Sequence, residues 1–290
     1  MVHLIALSAL LLHAQPQPLS DEKAVLGFAD SLLAEGDAYR AIGEYKRFLF
    51  LVPQGPEADA ARFSIGLAYL RGGQPQAAVD VYERLAEQSP ILRPEALLQV
   101  GYARYLGGQP KDAAKELTRW LKHEADGAPQ ASRERARYLL GWAELAQGHG
   151  AQAAEQFSLL PGVPGQPQLV ERARALDFLP QRSPVVAGLL SIIPGAGHVY
   201  IGQPVLGLAA LSWNAAFGFA LYDSIRNGQF GVALILGGLE ALWYFGTMFG
   251  AISGANKLNR DLRQNALDDL RDTYDDRPES WPPARPVARF

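Results

Sequence analysis

Residues 191–203, Ser-Ile-Ile-Pro-Gly-Ala-Gly-His-Val-Tyr-Ile-Gly-Gln, divide the chain of 290 residues into two parts of opposite character. A short apolar run precedes this glycine- and proline-rich turn, and two long apolar runs follow it. The region before the turn has the pattern of soluble helical repeats, whereas residues 191–254 have the composition of a membrane segment. The mean hydropathy of the whole chain is -0.05, an average that conceals this division.

The two long runs predict a transmembrane helical hairpin. Residues 204–222 contain no charged side chain, and residues 230–252 contain only Glu240. At 1.5 Å per residue, each run is long enough as a helix to cross about 30 Å of hydrocarbon. Residues 185–193 are too short to cross, so they predict a re-entrant or short third helix within a membrane domain of residues 184–254. The alternative is a third span over residues 184–201.

The turn itself carries a recognisable pattern of small and polar residues. It resembles the turn of a family of small two-helix membrane domains, in which a short apolar segment runs into a glycine-rich turn ahead of two spans. The resemblance covers residues 185–254 and implies architecture rather than catalytic activity. The residues that carry it are Pro194, Gly195, Gly197, His198, Tyr200 and Gly202.

Polar side chains within the spans are candidates for a structural or a functional role. Asn214 and Glu240 lie near the middles of their runs, so an antiparallel hairpin brings them to similar depth. We expect a protonated Glu240 to hydrogen-bond to Asn214, with a proton pathway as the alternative. His198 has no second histidine or paired carboxylate nearby, which favours an interfacial hydrogen-bonding role over metal binding. Residues 246–254 carry a glycine at every fourth position, which permits close contact within the hairpin or between copies.

Before the turn, four units of about 35 residues place the same residue types at the same offsets. Each unit has a small residue in a first helix, a glycine where that helix ends, an alanine in a second helix, and a large residue one turn later. In chain order the four sets are Ala29, Gly36, Ala41 and Tyr45; Gly66, Gly73, Ala78 and Tyr82; Gly101, Gly108, Ala113 and Leu117; Gly141, Gly148, Ala153 and Phe157.

Each offset has a physical cause. The small residue lets two helices approach closely, the glycine can adopt the left-handed conformation that ends a helix, and the large residue fills the space where the helices cross. The pattern resembles the tetratricopeptide repeat over residues 22–167, with a generic array of helical hairpins as the alternative. Residues 168–183 then predict a capping helix and linker, because the last repeat would otherwise expose its stacking face.

The resemblance implies that an extended peptide binds along the concave face of the first helices. Aromatic side chains on such a face suit apolar or proline-rich segments. The alternative is that these side chains pack between neighbouring repeats. The candidate groove residues are Phe63, Leu67, Tyr102, Tyr105, Tyr138 and Trp142.

Composition excludes several functions. The formal net charge of -3 provides no overall basic field for nucleic acid. The chain has no cysteine, which excludes disulfides, thiolate metal sites and a cysteine nucleophile. No paired carboxylates, Ser-His-Asp set or nucleotide-binding loop is evident. We therefore predict no catalysis, no metal and no cofactor.

The ends of the chain and the flanks of the spans bear on location. Residues 1–15 predict a signal peptide, with an uncleaved apolar helix as the alternative. Residues 255–276 predict an amphipathic helix, and the proline-rich residues 277–290 a disordered tail. Basic residues flank the spans on both sides and favour a cytoplasmic location for that side, whereas an export signal favours a periplasmic one. We favour the exported arrangement. The flanking residues are Arg172, Arg174, Arg182, Lys257, Arg260 and Arg263.

The predicted fold is all-α, a tetratricopeptide-type solenoid followed by a transmembrane helical hairpin with a re-entrant or short third helix. The predicted function is a non-catalytic scaffold, anchored in a bacterial inner membrane as a multi-pass protein, that binds protein or peptide partners through periplasmic repeats. Its other partners would be the lipid bilayer and, in a homo-oligomer, a second copy. One alternative is a subunit of an envelope transport system or enzyme that uses Glu240 and His198. Another is a lipid- or pore-associated structural protein.

Overall fold

The structure of the chain, a computed structural model, describes residues 21–161 and 165–274. These residues form thirteen α-helices and two short 3-10 helices, and this part of the chain contains no β-strand. It divides into two compact units, one with the described residues up to Val170 and one that begins at Glu171. We call them the repeat unit and the apolar unit. The predicted signal peptide and disordered tail lie outside the described residues.

Four pairs of helices form the repeat unit, and each helix packs against the next along the chain. The odd-numbered helices are the first helices of their repeats, and the even-numbered helices are the second. The pairs are α1 (Asp21–Ala34) and α2 (Ala38–Leu51), α3 (Pro56–Arg71) and α4 (Pro75–Gln88), α5 (Arg93–Leu106) and α6 (Pro110–His123), and α7 (Gln130–Gln147) and α8 (Gly150–Ser158). The predicted succession of helical hairpins is confirmed.

Glycine conformation explains how each pair turns. Gly36, Gly73, Gly108 and Gly148 have φ angles of 86°, 68°, 70° and 87°. Residues with a Cβ rarely adopt this left-handed region, and glycine adopts it without penalty. Each of these glycines follows a first helix, as the spacing predicts.

The small residues of the first helices lie where the two helices of a repeat cross. A Cβ atom at Gly66 would lie 2.5 Å from the Tyr82 ring, and one at Gly101 would lie 2.7 Å from Leu117. Gly141 receives the ring of Phe157 in the same way. Because the second helix brings a large side chain to this point, the first helix must present a residue without one. The predicted cause of the repeat pattern is therefore confirmed.

A helix follows the four pairs, as predicted, but it begins earlier than residue 168. Helix α9 spans Gln166–Ala175, and a 3-10 turn over Leu176–Phe178 succeeds it. The Gln166 side chain donates hydrogen bonds to the carbonyl oxygens of Phe157 and Ser158, at 2.8 and 3.0 Å. The boundary between the two units falls inside α9. Its capping role stays a prediction.

The apolar unit contains two short and two long helices: α10 (Pro184–Leu190), α11 (Ala196–Tyr200), α12 (Pro204–Arg226) and α13 (Phe230–Tyr274). Helices α12 and α13 are long and apolar enough to cross a membrane. The helix predicted over residues 255–276 is the last part of α13, which continues without a break for 45 residues. No proline interrupts this helix, and Gly254 keeps a helical conformation while Ile201 packs on it.

The long helices of the apolar unit expose their apolar side chains. In the stretch that best fits a bilayer, 17% of α12 and none of α13 is buried. Val205 and Leu234, for example, are each 79% exposed. A core helix of a soluble protein would bury such side chains. A continuous apolar surface of this kind is typical of contact with lipid or with another protein.

Candidate functional site

Four of the six predicted groove residues are buried in the repeat unit. Phe63, Tyr105, Tyr138 and Trp142 are all less than a tenth exposed. The Phe63 ring lies edge-on to Tyr82 at 5.2 Å between centroids, and Trp142 lies edge-on to Phe157 at 5.8 Å. For these four residues the groove prediction is corrected in favour of packing within the repeats.

The helical register explains the burial of Phe63, Tyr105 and Tyr138, but not that of Trp142, which follows its glycine by one residue. Phe63 and Tyr138 each precede the crossing glycine of their helix by three residues, and Tyr105 follows its glycine by four. Residues three and four apart share a helix face. These side chains therefore point in the same direction as the glycine, towards the second helix. This offset was visible in the sequence and could have prevented the error.

Leu67 and Tyr102 remain partly exposed and are the residues that can still line a groove. They occupy equivalent positions in the second and third repeats, one residue after Gly66 and Gly101. The guanidinium carbon of Arg135 lies 5.5 Å from the centre of the Tyr102 ring. Tyr102 therefore offers a partly exposed aromatic ring beside a cation, and Leu67 offers a partly exposed apolar side chain at the equivalent position of the preceding repeat.

A polar cluster beside Tyr102 joins the first helices of the third and fourth repeats. Arg135, only 7% exposed, donates to the Gln99 side chain at 3.3 Å and pairs with Glu95 at 3.5 Å. Gln99 in turn donates to Glu95 at 3.0 Å. Burial lowers the pKa of Arg135, while the negative charge of Glu95 opposes that shift. Because this cation is already paired, it is not a free clamp for a peptide carboxylate.

The turn of the apolar unit packs through backbone contacts. Gly195 has a φ of 87°, and a Cβ atom there would collide with the carbonyl oxygen of Gly207. A Cβ atom at Gly207 would likewise lie 2.7 Å from the carbonyl oxygen of Gly195. Gly197 is buried against Ala187 and Ala251. Two backbone segments can approach this closely only where both lack side chains.

Two of the three glycines at every fourth position of α13 contact α11 and the residue after it. A Cβ atom at Gly254 would lie 2.5 Å from Ile201, and one at Gly250 would lie 3.4 Å from the His198 ring. No atom lies within 4 Å of the Cβ position of Gly246. Two of the three predicted small residues therefore act within the unit, and His198 is a packing residue of this contact. Within the described residues, no group of three metal-ligating side chains is present.

Hydrogen bonds bring the start of α10 and the end of α11 together. The Ser183 amide, before α10, donates to the Tyr200 hydroxyl at the end of α11, at 3.1 Å. The Asn259 side chain accepts from the Arg182 amide at 2.8 Å and donates to the Arg182 carbonyl at 2.9 Å. The entry to α10 and the exit of α11 therefore lie at the same end. The alternative of a continuous third span over residues 184–201 is wrong.

Contacts with α13 show how far α10 and α11 extend along that helix. The Tyr244 hydroxyl donates to the Ile192 carbonyl at 2.9 Å, just after α10 ends. Tyr244 precedes Asn259 by fifteen residues, which corresponds to about 22 Å along a helix. Pro194 and Gly202 flank the tip and the exit of the α10–α11 segment, and Gly202 has a φ of 81°. Residues 184–201 thus form a re-entrant arrangement along α13.

The predicted hydrogen bond between Asn214 and Glu240 is absent from the described structure. Asn214 instead donates to the Ala210 carbonyl of its own helix at 2.6 Å. Its Oδ1 atom and the Oε2 atom of Glu240 are buried without a hydrogen-bond partner. The helix offers Asn214 a carbonyl one turn away, a local partner that competes with the distant one.

Comparison with known families concerns the first half of the repeat unit. The tetratricopeptide repeat family profile matches residues 26–90. These residues, which span most of the first two helix pairs, are similar to tetratricopeptide repeats. Repeats of this family generally mediate protein–protein interactions and are generally non-catalytic.

Two solved structures show a weak similarity to the chain. Two crystal structures of nearly identical TPR-like repeats from Podosopora anserina, from a protein assigned as a kinesin light chain, align with 17% sequence identity and a TM-score of 0.41. Each alignment covers 66% of this chain and 91% of the other. One of the two is a single-substitution variant. No curated protein shows significant sequence similarity to this chain.

Sequence reasoning missed the contacts that connect distant residues. The Arg135–Gln99 bond joins the first helices of the third and fourth repeats and connects residues 36 apart in the chain. The Asn259–Arg182 pair spans 77 residues. The sequence does carry a signal for the Arg135–Gln99 contact, because the two residues are separated by close to one repeat period. The Asn259–Arg182 contact has no such signal in the sequence.

Proposed function

We propose that the chain is a non-catalytic, membrane-anchored scaffold whose tetratricopeptide repeats hold a protein or peptide partner at a bacterial inner membrane. One observation carries this proposal: a chain with well-packed tetratricopeptide repeats also carries two long helices that expose apolar side chains along their length. Repeats supply a surface for a partner, and the helices supply an anchor.

Energetics support the anchor. Transfer of one exposed leucine or phenylalanine side chain from water to an apolar phase is favourable by about 1.5–3 kcal/mol. Leu234, Leu242 and Phe249 are each at least 69% exposed, and many neighbours resemble them. A single acid at the middle of a span costs about 2.5–3.5 kcal/mol. The apolar side chains of α13 therefore outweigh the cost of Glu240.

The proposed partner surface is centred on Tyr102 and Leu67. Tyr102 offers an aromatic face for apolar or proline-rich segments, and Leu67 extends that surface into the second repeat. The pairing of Arg135 with Glu95 leaves no free charge at this point. We therefore expect recognition through apolar contacts rather than through a terminal carboxylate.

We further propose that the repeats lie in the periplasm. The predicted export signal at residues 1–15 supports this orientation. A reporter that fluoresces only in the cytoplasm, fused after residue 180, should stay dark in cells. Bright cells would reverse the orientation without affecting the anchor.

Co-purification of the full chain from solubilised membranes tests the scaffold. The chain should sediment with membranes and bring a partner with it, and a variant without residues 22–167 should sediment but lose the partner. Tyr102→Ala should weaken capture of the partner while helicity is unchanged. Trp142→Ala should instead lower stability by about 3–5 kcal/mol, because its ring is fully buried. A full-length chain that stays in the supernatant without detergent would refute the anchor.

A second candidate is a transport or enzyme subunit that uses Glu240. The unpartnered Glu240 Oε2 and Asn214 Oδ1 atoms favour it, because unsatisfied polar atoms inside a membrane are costly and often functional. Glu240→Gln preserves shape and removes the titratable proton. Under the scaffold proposal, this variant inserts and captures the partner normally. Loss of a transport or enzymatic activity with intact assembly would favour the second candidate.

A further inference from the structure

Four cations surround the point where α13 leaves its apolar run. Lys257, Arg260 and Arg263 follow one another on α13, and Arg182 is held beside Asn259 by the two hydrogen bonds of that amide. Arg182, Lys257 and Arg260 are exposed, and Arg263 is partly exposed. We call these four residues the basic collar.

The collar differs from Arg172 and Arg271, two other cations of the apolar unit, in lacking carboxylate partners. Within the described residues, none of its four side chains forms an ion pair, although Asp261 lies on the same helix. Farther along, Arg271 pairs with Asp268 and Arg172 pairs with Asp269. Residues 255–264 hold three cations and one carboxylate, whereas residues 265–274 hold one cation and three carboxylates. Positive charge is therefore concentrated nearest the apolar run.

Lys257 and Arg260 of the collar also lie within side-chain reach of a headgroup layer. The apolar run ends at Ile252, so Lys257 and Arg260 lie about 7 and 12 Å beyond it along the helix. The polar layer of a bilayer extends about 5–8 Å beyond the hydrocarbon on each side. Lysine and arginine side chains reach several ångströms back towards that layer. The Arg182 guanidinium carbon lies 5.2 Å from the centre of the Tyr200 ring, and tyrosine is enriched at this interface.

We infer that the basic collar binds the phosphate groups of anionic phospholipid headgroups. Arginine forms bidentate hydrogen bonds to phosphate, and clustered cations beside a span attract anionic lipids. The acidic outer part of α13 is repelled by the same surface, so the contact with headgroups is confined to the collar. This inference rests on the membrane anchoring proposed above.

Spin-labelled lipids test the inference on the full chain reconstituted into phosphatidylcholine vesicles. Electron paramagnetic resonance gives the association of labelled phosphatidylglycerol relative to labelled phosphatidylcholine. We expect the native chain to prefer phosphatidylglycerol several-fold. Lys257→Gln combined with Arg260→Gln should bring the ratio close to one. Arg271→Gln, whose side chain is paired and farther from the apolar run, is the matched control and should keep the preference.

Salt and free phosphate distinguish the source of the effect. Added sodium chloride should reduce the preference because it screens exposed charges. Inorganic phosphate should do no more than chloride at the same ionic strength, and a greater effect would indicate a site for free phosphate and overturn the inference. A native chain that inserts without preference, or a collar variant that keeps it, would also overturn it. A chain that fails to float with vesicles of either lipid would refute the anchor and the inference together.

Discussion

The repeat unit and the apolar unit both place glycines where helices come closest, but these glycines receive different groups. Gly66 and Gly141 receive the rings of Tyr82 and Phe157 from the second helices of their repeats. Gly195 receives the backbone of Gly207. In the repeats, a missing side chain makes room for a large one. In the apolar unit, two missing side chains let two backbones touch.

The difference follows from what drives each unit to pack. Burial of large apolar side chains stabilises a unit that folds in water, so a repeat gains by filling each crossing with a ring. The apolar unit leaves its large side chains exposed. Helices that associate in lipid gain from close backbone contact and hydrogen bonds, because burial of apolar surface gives little advantage there. The backbone contact at Gly195 and the Asn259 hydrogen bonds are consistent with this second regime.

Among the substitutions that test this contrast, the largest effect should come from Gly195→Ala. The substitution forces a Cβ atom into the Gly207 carbonyl and also places alanine at a φ of 87°. Left-handed strain costs about 1–2 kcal/mol and overpacking about 1–3 kcal/mol. We expect the free energy of unfolding to fall by the sum of these costs. Titration of the full chain with SDS in mixed micelles measures it.

Gly202→Ala is the matched control for that substitution. Its φ is 81°, but no atom lies within 4 Å of the Cβ position. The strain of about 1–2 kcal/mol should therefore appear alone. Equal losses for the two variants would show that the backbone contact at Gly207 contributes nothing.

A smaller effect is expected at the crossing of the fourth repeat. Gly141→Ala places a Cβ atom against the Phe157 ring, which can shift more easily than a backbone carbonyl. We expect a loss of about 1–3 kcal/mol in a urea titration of the detergent-solubilised chain, followed by helical circular dichroism.

Gly43→Ala is the control for the repeat unit. Gly43 is exposed on α2 with no atom within 4 Å of its Cβ position, so alanine should raise stability by about 0.5–1 kcal/mol. A loss of stability for Gly141→Ala and a gain for Gly43→Ala would confirm that only the helix crossing requires a residue without a side chain. A gain at Gly141 would contradict the packing described above.

The same contrast explains what could be predicted from the sequence. The repeat architecture was predictable because each unit has the same residue types at the same offsets. Gly36 and Gly73 have the left-handed conformation, and Ala78 the burial, that those offsets require. The groove was harder, because a sequence shows that Phe63 and Trp142 are aromatic without showing whether they face the groove or the second helix. Register relative to the crossing glycine decides that question for Phe63. Trp142 has the same register as the partly exposed Tyr102 and is nevertheless buried, so its environment required the structure.

In the apolar unit, the sequence predicted the two long helices and the break at Pro194. It did not predict the hydrogen bonds between segments. The length and composition of a run predict a helix independently of its neighbours. The Asn259–Arg182 hydrogen bonds depend on how the segment before α10 packs against α13. Asn214 donates to a carbonyl of its own helix rather than to Glu240. Polar contacts between distant segments therefore required the structure.

The smallest expected effect concerns the hydrogen bond at the deep end of the re-entrant arrangement. Tyr244→Phe removes the donor to the Ile192 carbonyl and should cost about 0.5–1.5 kcal/mol in the SDS titration. Tyr222→Phe is the control, because Tyr222 is 63% exposed and forms no hydrogen bond among the described residues. Tyr244→Phe should also speed amide exchange around Ile192, whereas Tyr222→Phe should leave it unchanged. If both variants exchange as slowly as the native chain, backbone contact at the turn glycines holds the segment without help from Tyr244.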